Sequence, residues 1–81
     1  MTEHETDLLA AARRGDYAEV VTYSGIDVKT MDEILVRAAF NGHVKLVEWC
    51  LAKYTPRKEA SDRAWLHAQL RGFSHIMVML L

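Results

Sequence analysis

Four histidines, one cysteine and six arginines are the side chains here that could do chemistry, and their spacing decides which chemistry is open to them. A zinc site needs three or four ligands converging on one point. His4, His43, His67 and His75 are scattered, and a chain break at Gly72 separates the last two. Cys50 falls on an apolar stripe with Val47 and Leu51 and has no base in register beside it, so it reads as a buried thiol, not a nucleophile. The chain has no phosphate-cradling glycine loop, no paired-cysteine metal site, no His-Glu-x-x-His helix and no Gly-x-Ser-x-Gly elbow. The expectation is a chain that is not an enzyme and uses no metal or cofactor.

Helices must position these side chains, because helix signals recur throughout and no strand-like alternation competes with them. Thr2 with Glu5 forms a capping box, and the acids Glu3, Glu5 and Asp7 suit a helix N-terminus. The first helix should run to Arg14, face Leu8, Leu9, Ala11 and Ala12 inward, and end at Gly15. Asp16 with Glu19 opens a second helix from Tyr17 to Tyr23, stopped by Ser24-Gly25. Thr30 with Glu33 opens a third, Met31 to Phe40, and a fourth covers Val44 to Lys53 before Thr55-Pro56 ends it. A fifth is expected to start near Ser61-Asp62, or earlier behind Pro56, and to stop at Gly72; Ser74 would cap a sixth that runs to the end.

The stretch Ala38-Ala39-Phe40-Asn41-Gly42-His43, with Leu46-Val47-Glu48-Trp49 after it, has looser copies on both sides. Ala11-Ala12-Arg13-Arg14-Gly15-Asp16 leads into Val20-Val21, and Ala68-Gln69-Leu70-Arg71-Gly72 leads into Ile76-Met77-Val78. This pattern resembles the ankyrin repeat, with Gly15, Gly42 and Gly72 spaced 27 and 30 residues apart against the family's usual period of about 33. The Thr-Pro-Leu-His opening is absent from all three copies, so short loops are expected where that family carries a β-finger. The resemblance implies an all-α fold: three stacked antiparallel helix pairs in one domain, an ankyrin-like solenoid fragment with units of roughly 2–29, 30–57 and 58–81. It also implies local hydrogen bonding by His43, a core role for Trp49 and Trp65, and a protein-binding function without catalysis. An inhibitor or adaptor that occludes a site on a larger complex fits such a scaffold, a viral or effector protein directed at host machinery among them.

Superposing the copies on their glycines puts Arg14, Asn41 and Arg71 in one column, Arg13, Phe40 and Leu70 in the next, and Arg37 with His67 in a third. In ankyrin-like stacks the ends of the first helices line the concave groove. Arg13, Arg14, Arg37, Phe40, Asn41, His67 and Arg71 are therefore the candidate partner-binding residues, and guanidinium forks among aromatics suit a protein with an acidic surface. Arginines at helix ends also complement the macrodipole, a purely structural use of the same residues. Docking of this row on a phosphate backbone is the alternative function, and ten basic against eleven acidic residues argue against it.

The last helix, Ser-His-Ile-Met-Val-Met-Leu-Leu, has no charged side chain after Arg71, whereas solenoids normally finish on a polar face. Ile76, Met77, Met79, Leu80 and Leu81 are candidates for self-association into a homodimer; a partner protein or a folded-back N-terminus are the other covers. The apolar run from Ile76 to Leu81 is too short to span a bilayer. The acidic start is unlike a secretory signal, and a lone cysteine fits a reducing compartment, so a cytoplasmic protein is expected.

Overall fold

The computed structural model describes residues 3–81, with side chains from Asp7 onward. Among the described residues six helices follow one another: α1 Glu3–Arg14, α2 Tyr17–Val20, α3 Val28–Phe40, α4 Val44–Lys53, α5 Lys58–Arg71 and α6 Ser74–Met79. Among the described residues there is no strand, and the fold is all-α. The capping pair expected at Thr2 and Glu5 lies outside the described residues.

Three corners join α1 to α2, α3 to α4 and α5 to α6, and they are built alike. Gly15, Gly42 and Gly72 take φ of 78°, 75° and 76°, the left-handed region that a Cβ disfavours. The next amide reaches back five residues: Asp16 to the Ala11 carbonyl at 2.9 Å, His43 to Ala38 at 2.9 Å, Phe73 to Ala68 at 2.8 Å. These are Schellman closures of the first helix of each pair. One residue later the amides of Tyr17, Val44 and Ser74 donate to the glycine carbonyls, at 2.9, 3.1 and 3.0 Å, in tight γ-type turns that start the second helix at once.

Buried alanines let the first helices approach one another closely. Ala11, Ala12, Ala38, Ala39, Ala64 and Ala68 are fully buried, and the face that α5 turns to α3 is the alanine row 60, 64, 68. α3 is the central element, packed between α1 and α5 and backed by α4. Ile34, Leu35, Leu46, Val47, Cys50, Val20 and Ile76 fill the space between the two helix layers. In the second layer α4 packs on α6, whereas α2 makes no comparable contact with α4.

Three helices, α2, α3 and α6, are bounded differently from the sequence expectation, and α5 takes the earlier of its two expected starts, each for a local reason. α2 stops at Val20 instead of Tyr23, because the Tyr23 amide turns to Val20 (3.2 Å) and the Thr22 hydroxyl takes the Glu19 carbonyl at 2.6 Å. α3 starts at Val28, capped by Asp27 and not by Thr30: the Asp27 carboxylate accepts the Thr30 amide at 2.7 Å, while Glu33 pairs with Arg37 and Arg63. α5 starts at Lys58, because the Arg57 side chain is tied to Asp32 at 2.6 Å and its carbonyl already accepts the Ser61 amide at 3.0 Å. α6 is capped by Phe73, with Ser74 as its first residue, and it ends at Met79 before the chain does.

Candidate functional site

The last turn of α3 and the C-terminal half of α5 bring three of the expected groove residues into contact. Phe40 stands 40% exposed. The His67 ring meets it edge-on, with centroids 5.2 Å apart and planes at 86°. The Arg71 guanidinium lies 4.9 Å from the Phe40 centroid and 5.6 Å from that of Phe73. Arg37 and Asn41 belong to the same end of α3; the Asn41 amide donates to the Arg37 carbonyl at 2.9 Å, and Arg37 pairs with Glu33 one turn back. A guanidinium held over ring faces keeps its N–H edge available to a planar anion.

The α1 end of the row is arranged differently. The Arg14 guanidinium is engaged by Glu19 at 2.8 Å and Asp16 at 3.8 Å, on its own helix pair. The Arg13 carbonyl accepts His43 Nε2–H at 2.7 Å, a bond to the preceding helix pair 30 residues away in place of the local one expected of that histidine. That bond also seats the His43 ring on Gly15, where a Cβ would come within 2.5 Å of it. Phe73 lies on Gly42 in the same manner, at 2.9 Å from the position of a Cβ. Gly15 and Gly42 are thus each the floor for a ring of the next pair, whereas Gly72 carries none, and Phe73, which the sequence pattern did not single out, is what supports Arg71 from below.

Cys50 is fully buried, and burial pushes its thiol up to about 12, so almost no thiolate exists at neutral pH. Among the described residues no three His, Cys, Asp or Glu side chains come together as metal ligands. No helix among them is long and apolar enough to cross a membrane.

Two features have no counterpart in the sequence reading. Asp32 is 4% exposed, accepts the Tyr54 hydroxyl at 2.8 Å and the Arg57 Nε at 2.6 Å, and so ties α3 to the α4–α5 connection. Burial, with this hydrogen bond after it, pushes the Tyr54 phenol up; the bond to Asp32 raises the Arg57 guanidinium. Partners 22 and 25 residues away leave no local signal. The second feature is an open cleft of about 700 Å³ beside α2, walled by Tyr17, Tyr23, Trp49 and Tyr54 with Lys53 on its rim. Trp49 packs on the core from that wall and Trp65 is half-buried outside the core cluster, so neither is a fully enclosed core residue as expected.

The candidates for self-association divide. Ile76 is 1% exposed and belongs to the core, which removes it from the outer surface because α6 must bury one face against α4 and α5. Met77, Met79 and Leu80 pack partly against the core, while Leu81 is 93% exposed. Val78, at 68%, and Leu70 on α5, at 73%, join the uncovered apolar surface and escaped the sequence reading.

Set beside known proteins, the chain matches no family model, no curated protein and no solved structure. What these surfaces do therefore rests on their own geometry.

Proposed function

We propose that this chain is a non-catalytic protein-binding module that docks an acidic segment of another protein against the ends of α3 and α5. The observation that carries the reading is Phe40, an exposed aromatic with a guanidinium over its ring and an imidazole perpendicular to it. Such an anchor combines apolar area with a charge-directed donor set, the composition found at binding hot spots. Arg37 and Asn41 extend it along α3; Arg13 and Arg14 belong to the α1 end of the row, where Arg14 is already paired with Glu19 and Asp16. Three corners of one geometry support the ankyrin-like part of the proposal, in which the helix pairs stack side by side and the first helices line the groove.

Titrating the isotope-labelled protein with a glutamate-rich peptide containing one tyrosine tests this. The expected result is a saturable set of amide shifts around Phe40, His67 and Arg71, lost in the Arg37→Glu/Arg71→Glu protein at unchanged helical content. Equal binding by that variant would assign these arginines to helix-dipole compensation alone. Tight binding of duplex DNA that falls steeply with salt would install the nucleic-acid reading instead.

A second copy of the chain is the proposed cover for the surface bearing Leu70, Val78 and Leu81, whose exposure is high for side chains of this size.

A further inference from the structure

Because α2 is a single turn and leaves the second layer at Val20, the space beside α4 that a longer helix would occupy is open, and aromatic rings wall it. From α4 it is lined by Trp49 and Lys53, and Lys45, one turn before Trp49 on the same face, reaches the Tyr17 ring that walls it. The Lys45 ammonium stands 4.5 Å above the Tyr17 ring, and Lys53 lines the far rim. Of the nearby carboxylates, Glu19 is engaged with Arg14, Asp32 with Tyr54 and Arg57, and Asp27 with the Thr30 amide, while Glu48 on α4 is exposed and forms no ion pair among the described residues. Neither lysine forms an ion pair among the described residues. The cleft therefore has one cation in its lining, Lys53, and a second, Lys45, against its Tyr17 wall.

Spacing selects the ligand. Eight residues of α-helix separate the two lysine positions by about 12 Å. An extended peptide places residues i, i+2 and i+4 on one side, and i to i+4 spans about 13 Å. We propose that this cleft is a second, separate binding site, which takes an extended peptide of the pattern acidic-x-apolar-x-acidic: the central apolar side chain enters between Tyr17, Trp49 and Tyr54, and the flanking carboxylates meet Lys45 and Lys53. Single-stranded nucleic acid shares the taste for aromatics and cations, but needs a continuous basic track. Here Glu48 sits on α4 between the lysines in sequence, and Asp16, Glu19 and Asp27 lie on the neighbouring segments.

The test is a nuclear magnetic resonance titration of the full chain with acetylated Glu-Ser-Leu-Ser-Glu, following the Trp49 indole N–H, which a Trp65→Phe variant assigns. The expected result is a saturable shift of that signal and of the amides of Tyr17, Tyr23 and Lys53, with no response at Phe40 or His67. Lys45→Gln/Lys53→Gln, both at exposed positions, should weaken binding on the order of tenfold or more through two lost charge-assisted contacts. Arg37→Glu/Arg71→Glu should leave it unchanged, which separates this site from the groove. The proposal is overturned if Lys-Ser-Leu-Ser-Lys binds as well, if the double glutamine variant binds undiminished, if the shifts centre on Phe40, or if an oligothymidylate of eight nucleotides binds more tightly than the peptide.

Discussion

At the residue scale the corner glycines do two jobs that can be measured apart. Gly42 and Gly72 share the same left-handed backbone, but a Cβ at Gly42 would strike Phe73 at 2.9 Å, whereas a Cβ at Gly72 meets nothing within 4 Å. Gly72→Ala should therefore cost only the backbone strain of about 1–2 kcal/mol. Gly42→Ala should cost that plus the displacement of a ring, roughly 1 kcal/mol more. Denaturant melts of the two variants check this, and equal losses would show that Phe73 moves aside freely. Displacing Phe73 also removes a ring from beneath Arg71, so Gly42→Ala should weaken the acidic-peptide titration while Gly72→Ala leaves it intact. The left-handed positions were legible in the sequence because glycine in such a break has few other uses; the rings lying on Gly15 and Gly42 were not, since His43 and Phe73 belong to the next pair along the chain.

At the element scale the caps decide where the helices begin. Asp27 opens α3, the central helix, and its carboxyl is held below the ordinary aspartate value of 3.8, chiefly by the hydrogen bond from the Thr30 amide. A carboxyl whose folded pKa is depressed contributes stability above its unfolded value, and the contribution disappears as pH falls through the folded one. Asp27→Ala should accordingly lower the thermal midpoint at pH 7, and the gap to the wild type should narrow as the pH is taken below 3.8. A gap that stays constant with pH would mean that the cap acts without its charge. Both Asp27-x-x-Thr30 and Thr30-x-x-Glu33 are legitimate capping patterns in the sequence. The first prevails because Glu33 is drawn to Arg37 and Arg63, the latter on another helix.

At the scale of the whole molecule, the end that carries α5 and α6 is the least finished. Leu70, Val78 and Leu81 remain uncovered, while Ile76 is spent on the core. Light scattering on a sizing column should give a mass near twice 9.2 kDa for the wild type and near 9.2 kDa for Val78→Glu/Leu81→Glu. Both positions are exposed, so the variant should keep its helical content. A monomeric wild type would remove the homodimer and leave that surface to another protein.

Much of the local architecture was determined by the sequence alone. The bounds of α4, the ends of α1, α3 and α5 and the buried alanines all follow from interactions within a few residues: a glycine that admits left-handed backbone, a proline that cannot continue a helix, methyls at helical spacing. The tertiary structure alone decided what those elements bring together. Asp32 with Arg57, Phe73 on Gly42, and Phe40 against His67 are contacts between different helix pairs. Their strength depends on how closely α3 and α5 approach, which no periodicity encodes. The cleft beside α4 exists because α2 ends one turn early, and that follows from a hydroxyl and a carbonyl competing within a single turn. Arg14 makes the same point in reverse: the column that aligned it with Arg71 is real in sequence, but the nearest carboxylates, Glu19 and Asp16, claim its charge.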